Sequence, residues 1–433
     1  MDEILHTKLR RPHSRGPLVQ RAELIARLDV ATGHRLTLLA APAGYGKTTL
    51  MSAWCAAQSG QPLAWLTLDD GDNDPARFWR YVCAALRSLV PWLPVPPATD
   101  DNAVPAALLN ALAELPHRCV LVLDDYHTIS APAIHTALIS LLEQAPGTLG
   151  LVVSTRDAAP LPLARLRAHN NLAELRSGDL RFTPAEIAAL LADEALPAAT
   201  LAQIAERTGG WPAGLHLALL ALPHDTPPGA TTAALAAGTG GTRHVGSFLA
   251  AEVLPALPER LQQFLLETSI LGELTAGLCE AVTGDALSTA HLDALEQAEL
   301  FVERISDEPA RLRLLPIVAE ALRDEAARRY AGARIRTLHA RAARWLAANG
   351  QPEQAIDAML AAEDFGASAE LIEAFARERE LPTGIYTMRR WVEALPPALW
   401  ATHPHMCLAY ATALLFSEDR RAPALLPRIE APL

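Results

Sequence analysis

Aromatic residues make up only 5% of the 433 residues, and the five cysteines are scattered at Cys55, Cys83, Cys119, Cys279 and Cys407. They form no CxxC pair and no Cys/His ligand spacing, which excludes a zinc ribbon and a disulfide-stapled scaffold. Their simplest reading is reduced, buried thiols of a cytoplasmic protein. No uncharged apolar run reaches about 18 residues, so no segment reads as a membrane-spanning helix. The leading MDEILHTKLRRPHSRG is charged and has no apolar signal core. A basic excess is missing too: 37 Lys and Arg stand against 49 Asp and Glu, for a net charge of −12. That balance argues against a chain that coats a nucleic-acid backbone by itself, although an acidic protein can carry a small basic reading domain. Half of the residues are hydrophobic, with alanine and leucine abundant. Such a composition suits a helix-rich soluble protein, and the length is enough for three domains.

The strongest local signal is Ala41–Thr49, APAGYGKTT, entered from the apolar run Leu36–Ala40. Gly44 and Gly46 let the backbone turn tightly and aim N–H groups at phosphate oxygens, and a following helix adds the positive end of its dipole. In such a loop Lys47 supplies a point charge to the outer phosphates and the Thr48 hydroxyl is placed to ligate Mg²⁺. Ala41 stands where the strict pattern has its first glycine. Strand before, GKT within and helix after together predict a nucleotide-binding loop rather than a plain glycine turn.

Residues 1–220 alternate short apolar runs with helical stretches, the rhythm of a parallel α/β sheet. The expected strands are Leu36–Ala40, Leu63–Leu68, Cys119–Leu123, Leu149–Ser154 and a fifth near Leu172–Leu175. From Pro223 to Gly246 proline, glycine and threonine cluster without period, which reads as linker. Ser247–Leu257, Glu259–Ser269, Leu278–Val282 and Ser288–Ala298 look helical, and Leu300–Ile305 with Ala310–Leu315 suggest the hairpin of a winged helix. After Pro316 everything reads as helix, broken near Gly350–Pro352, Asp364–Gly366, Leu381–Gly384 and Pro396–Pro397, as in antiparallel helical hairpins. The expected organisation is a P-loop nucleotide-binding domain with a small helical extension over 1–220, a linker over 221–246, a winged-helix-like domain over 247–330 and an incomplete α-helical, TPR-like repeat region over 331–433.

Cys119–Asp125, CVLVLDD, is an apolar strand ending in two acids. In P-loop proteins the first such acid holds Mg²⁺, largely through water, so Asp124 takes that role and Asp125 that of orienting or activating the attacking water. Arg156, in the polar tip of LGLVVSTRD, either stands beside the γ-phosphate or is a loop arginine in solvent. The arginines of Pro160–Arg167, PLPLARLR, face a phosphate, a neighbouring subunit or only solvent. Val19–Arg21 and GGWPAGL, Gly209–Leu215, are candidates to frame the base. Pro212 offers a rigid wall against a flat ring. The alternative is a simple helix stop and restart, which periodicity alone favours.

Taken in order, KLRRP (Lys8–Pro12), VQR (Val19–Arg21), APAGYGKTT, WLTLDDGDNDPARFWRYV (Trp65–Val82), VLVLDDYHTI (Val120–Ile129), STRDAAPLPLARLRA (Ser154–Ala168), ELRSGDLRFTPAE (Glu174–Glu186), GGWPAGL, FLAAEVL (Phe248–Leu254), FLLETSIL (Phe264–Leu271) and WVEALP (Trp391–Pro396) are similar to signatures of one family. They resemble the MalT-like, LuxR-type large ATP-binding transcriptional regulators, members of the STAND class of signalling NTPases. The resemblance implies a switch in which a closed state holds ADP, and exchange for ATP, favoured by an inducer at the helical repeats, promotes self-association. Slow ATP hydrolysis resets it, and a C-terminal helix-turn-helix binds DNA. It assigns Gly46, Lys47 and Thr48 to phosphate and Mg²⁺, Thr49 to the inner phosphates, and Asp124 and Asp125 to the strand-end acids. Arg156 matches the sensing arginine, while Val19, Arg21 and Pro212 match positions around the base.

Two departures from the family pattern stand out. Leu315, in RLLPIV (Arg313–Val318), stands where family members carry a histidine expected to touch the diphosphate, which implies a weakened ADP-locked state. No basic helix-turn-helix appears in residues 247–433, and the winged-helix candidate is acidic around Glu252–Glu280. DNA contact would therefore need a C-terminal domain outside this sequence. Two further function classes remain open: a P-loop ATPase whose turnover is itself the function, and a helical-repeat interaction scaffold.

Overall fold

The computed structural model describes residues 4–12, 19–58, 62–93, 106–156, 159–192, 196–220, 241–307, 310–378 and 385–416. The chain divides into two compact units, Met1–Val245 with Gln297–Leu300, and Gly246–Glu296 with Phe301–Leu433.

The first unit is built on five strands: β1 (Leu36–Ala40), β2 (Leu63–Thr67), β3 (Cys119–Asp124), β4 (Leu149–Thr155) and β5 (Leu172–Arg176). They are parallel and ordered β2-β3-β4-β1-β5. Parallel strands need crossover connections, and the intervening helices cover both faces. This is why β3 and β4 are buried along their whole length and read as unbroken apolar runs. The expected strands are found, with β3 extending to Asp124 and β4 to Thr155, so polar residues at the strand ends still belong to the ladder. Because β4 lies between β3 and β1, the carboxyl ends of these three strands form one edge, the place where open α/β sheets hold ligands.

In the second unit the helices Glu259–Thr268, Ala276–Thr283 and Ser288–Gln297 precede an antiparallel hairpin, β6 (Val302–Asp307) and β7 (Ala310–Leu314). An added bridge from Leu274 to Leu312 ties the loop before Ala276 to β7. Among the described residues six α-helices follow, Pro316–Arg329, Gly332–Ala348, Pro352–Ala361, Phe365–Glu378, Ile385–Glu393 and Pro404–Phe416.

Two details differ from the sequence expectation. Residues 241–246, read as linker, lie in the helix Gly241–Phe248, while residues 221–240 fall outside the described ones. A break at Tyr330–Ala331, directly before Gly332, separates two helices whose apolar pattern runs on without proline. Leu315 is wholly buried at the N-cap of Pro316–Arg329, its N–H donating to the Phe301 carbonyl at 2.8 Å.

Candidate functional site

The loop leaving β1 turns through two left-handed glycines, Gly44 at φ 80° and Gly46 at φ 76°. An added Cβ at Gly46 would meet nothing within 4 Å, so backbone conformation rather than space demands glycine there. Ala41 is different. Its N–H continues the sheet ladder to the Thr155 carbonyl at 3.2 Å and its φ is not positive, so alanine serves where the strict motif has glycine. Gly46 caps the helix Lys47–Ala57. The Lys47 ammonium, 7% exposed, folds back into the loop and donates to the carbonyls of Ala41 at 2.6 Å and Pro42 at 3.0 Å. Thr48 is half-buried and Thr49 exposed.

Asp124 closes the other side of the edge. Its carboxylate is 1% exposed, and Oδ1 accepts from the Thr48 hydroxyl at 3.1 Å and the Ser154 hydroxyl at 2.5 Å. Burial, and then the neighbouring Asp125 charge, push its pKa above the usual carboxylate range. Asp125 adopts a left-handed φ of 59°, unusual for a residue with a side chain, and its N–H donates to Ser154 Oγ at 2.9 Å. One buried hydroxyl, Ser154, thus sets both acids. Nothing in the sequence singles it out beyond its place in STRD. Below the turn, buried Tyr126 is anchored by a 2.6 Å hydrogen bond between its hydroxyl and His135 Nδ1.

The two segments expected at the base are joined to each other and to the loop. Val19 is half-buried. The Arg21 guanidinium donates to Glu186 Oε1 at 2.9 Å and to the carbonyls of Leu180 and Arg181, both at 2.8 Å, and stacks on Phe182 at 5.0 Å. Each of its three nitrogens is therefore engaged in holding the Leu180–Glu186 stretch. Phe182 N–H in turn donates to the Gly210 carbonyl at 2.7 Å, and a Cβ on Gly210 would lie 2.4 Å from the Phe182 oxygen. Pro212 begins the helix Pro212–Leu220, whose first free N–H, from Ala213, donates to the Gly44 carbonyl at 3.0 Å. GGWP is thus a helix start, and it is also hydrogen-bonded to the phosphate-binding loop.

Arg156 follows β4 directly and is half-buried. Of the arginines beyond it, Arg165 pairs with Glu143, and Arg167 with Glu174 at 2.7 Å, so both face acids of their own unit. A feature missed by sequence reading is the shell of Tyr45, itself in the loop. It is fully buried, which raises its phenol to about 12, and it lies beside Arg181, Glu299 and Ser177. Ser177 N–H donates to Glu299 Oε2 at 3.0 Å. Among the described residues no group of three or more His, Cys, Asp or Glu is arranged to hold a metal. The oxygen pair at hand for a hard cation is Thr48 Oγ1 with Asp124, which suits Mg²⁺ because that ion keeps much of its water and needs few protein ligands. Among the described residues no helix is long and apolar enough to cross a membrane.

Comparison with known proteins adds four findings. A family model described as the MalT winged helix domain matches residues 250–334. The chain is 33% identical over 443 positions to the serine/threonine-protein kinase PknK of Mycobacterium tuberculosis (strain ATCC 25618 / H37Rv), covering 99% of this chain and 39% of that protein. It is 30% identical to the HTH-type transcriptional regulator MalT of Cronobacter sakazakii, covering 94% of this chain and 46% of that protein. The chain therefore spans less than half the length of these curated relatives. Among solved structures, the Walker-type ATPase PABY2304 of Pyrococcus abyssi superposes with a TM-score of 0.53 at 13% identity, over 74% of this chain and all of that one.

Proposed function

We propose that the chain is a MalT-like, STAND-class P-loop NTPase acting as an ATP/ADP-binding signal-transduction switch, a reading supported by the MalT winged-helix match over residues 250–334, the likeness to MalT over 94% of the chain and the Walker-type ATPase fold. The observation that carries the reading is the 3.1 Å hydrogen bond between Thr48 Oγ1 and Asp124 Oδ1, which joins the two oxygens that this reading gives to Mg²⁺. Supporting it, Ala213 N–H ties the helix that this reading sets near the base to Gly44 of the loop that it gives to the phosphates.

In this proposal the N–H groups from Gly44 to Thr49 cradle the phosphates, with Gly46, Lys47, Thr48 and Thr49 nearest them. Lys47 trades its loop carbonyls for phosphate oxygens. Thr48 and Asp124 hold the Mg²⁺, which when bound neutralises phosphate charge. Asp125, held in its turn by Ser154, orients the attacking water. Arg156 senses the terminal phosphate. Val19 and Pro212 border the base, and Arg21 keeps their frame through Glu186 and Phe182.

Nucleotide state rather than turnover is the output in this reading, because differential affinity of two conformations for ADP and ATP is enough to shift a population. That nearly the whole chain aligns both with a transcriptional regulator and with a protein kinase supports a module usable with different outputs. An unknown inducer at the helical repeats and self-association in the ATP state complete the proposal, and DNA enters only through a separate C-terminal domain. The test is turnover. A switch hydrolyses ATP far below the ~10 s⁻¹ median of metabolic enzymes. A rate at or above that value would assign the chain to the ATPases whose turnover is the function.

A further inference from the structure

A cleft of about 690 Å³ opens in the second unit between the β6–β7 hairpin and the helices Gly332–Ala348 and Pro352–Ala361. Its volume falls within the ~300–1,000 Å³ usual for small-molecule sites. One wall is apolar, made by Leu278, Leu346 and Ala358. Leu278 and Leu346 belong to the core cluster of this unit, so the wall is rigid rather than a loose surface.

The charges around the cleft are already balanced. Glu303 pairs with Arg313 at 3.3 Å and Glu273 with Arg311 at 3.2 Å. Asp357 accepts from Arg390 at 2.8 Å and from the Trp391 indole at 2.7 Å, while Arg304 pairs with Glu296. A charged ligand would have to displace one of these pairs. What is left over is hydrogen-bonding capacity that these pairs do not fill. The Arg313 Nε–H is buried with no hydrogen-bond acceptor among the described residues, a rare condition that costs free energy unless a partner arrives. His339, also lining the cleft, has no hydrogen-bond partner among the described residues. Burial, and then the Arg323 charge, lower the His339 pKa, so near neutral pH the ring is uncharged and can donate or accept.

We propose that this cleft is a binding site for a small uncharged organic molecule with one apolar face and a carbonyl or hydroxyl oxygen. The oxygen accepts from Arg313 Nε, and the apolar face covers Leu278, Leu346 and Ala358. The site is separate from the phosphate-binding loop and does not depend on the nucleotide reading.

Benzamide is a suitable probe, being flat, uncharged and equipped with a carbonyl. Its binding to the full chain is measured by ligand-observed NMR with excess ADP present to occupy the nucleotide site. Benzoate and benzylamine serve as charged counterparts. The expected dissociation constant for benzamide is on the order of 1 mM, with both charged probes weaker. Ala361→Trp fills the mouth from an exposed helix-end position and weakens benzamide at least about tenfold, and Arg313→Met removes the donor with a similar loss. The proposal is overturned if benzamide fails to bind, if both variants bind it unchanged, or if benzoate binds as tightly.

Discussion

Two acidic stretches follow adjacent strands of the same sheet, and their chemistry is opposite. After β2 come Asp69–Asp74, with Asp72 fully buried, and at the end of β3 come Asp124 and Asp125, with Asp124 just as buried. Asp72 meets cations: Lys8, brought from the N-terminal KLRRP stretch, and Arg77 at 3.2 Å. Burial pushes Asp69 upward, but Lys8 at 3.0 Å and the Gly71 N–H hold it below the usual carboxylate range. The partners hydrogen-bonded to Asp124 are instead the hydroxyls of Thr48 and Ser154, and its pKa is raised. A buried carboxylate matched by protein cations has its charge satisfied and serves the fold. One matched by hydroxyls is short of positive charge, as a Mg²⁺-binding acid should be. Acid-rich strand ends therefore divide by partner type, which the sequence alone does not state.

The largest expected effect breaks the structural half of this comparison. Lys8→Met leaves Asp72 buried with Arg77 as its cation and the Asp69 N–H at 3.0 Å, and lowers unfolding free energy by about 3 kcal/mol in denaturant titration. Where the variant is still folded, its nucleotide affinity is unchanged. Asp124→Asn breaks the other half. Mg²⁺-dependent ATP affinity falls about 100-fold by calorimetric titration, while the melting temperature of the nucleotide-free chain holds or rises. The sign follows from the raised pKa. Folding favours the protonated form of Asp124, so that contribution to stability is present at acid pH and is lost as pH rises through the raised value. Mg²⁺–nucleotide binding runs the other way and weakens as pH falls through it.

Glu373 sharpens the comparison as a third case, a buried acid matched by two backbone N–H groups together with the His405 ring and the Arg377 guanidinium at 3.4 Å. Burial pushes it upward, yet the Met406 N–H at 2.7 Å and His405 Nδ1 at 2.6 Å bring it below its usual value. Its contribution is thus present above the ordinary Glu pKa of about 4.3 and lost as pH falls through the depressed value. Glu373→Gln should lower stability by about 1–2 kcal/mol near neutral pH, measured by urea unfolding, with the difference shrinking in acid. The smallest effect is that of Ser154→Ala, which frees Asp125 N–H and one Asp124 contact. It should weaken Mg²⁺–ATP about fivefold and leave Mg²⁺-free ADP binding nearly unchanged.

Much of the first unit was legible because its signals are local. A left-handed glycine pair, Gly44 and the Gly46 of GKT, dictates the loop, and unbroken apolar runs dictate strands covered on both faces. What escaped the sequence is long-range side-chain pairing, which leaves no periodic trace. Lys8 reaches Asp72 across 64 residues, and Arg21 reaches Glu186 across 165. Arg21 read as a base-framing residue, and the structure adds that its nitrogens hold the neighbouring stretch. Glu299 beside Ser177 and Tyr45 had no sequence signature at all, being placed by a four-residue return of the chain, Gln297–Leu300, to the first unit. Ser154 was visible only as a letter in STRD until its hydroxyl was seen between the two acids.

The central claim is that the edge formed by β1, β3 and β4 holds a nucleotide as a regulatory ligand. Its most direct test is the nucleotide released on denaturing the purified chain, identified by chromatography, beside Lys47→Ala. Stoichiometric ADP or ATP is expected from the wild type and none from the variant. A wild-type chain that is empty and also fails to take up added ATP or ADP would contradict it.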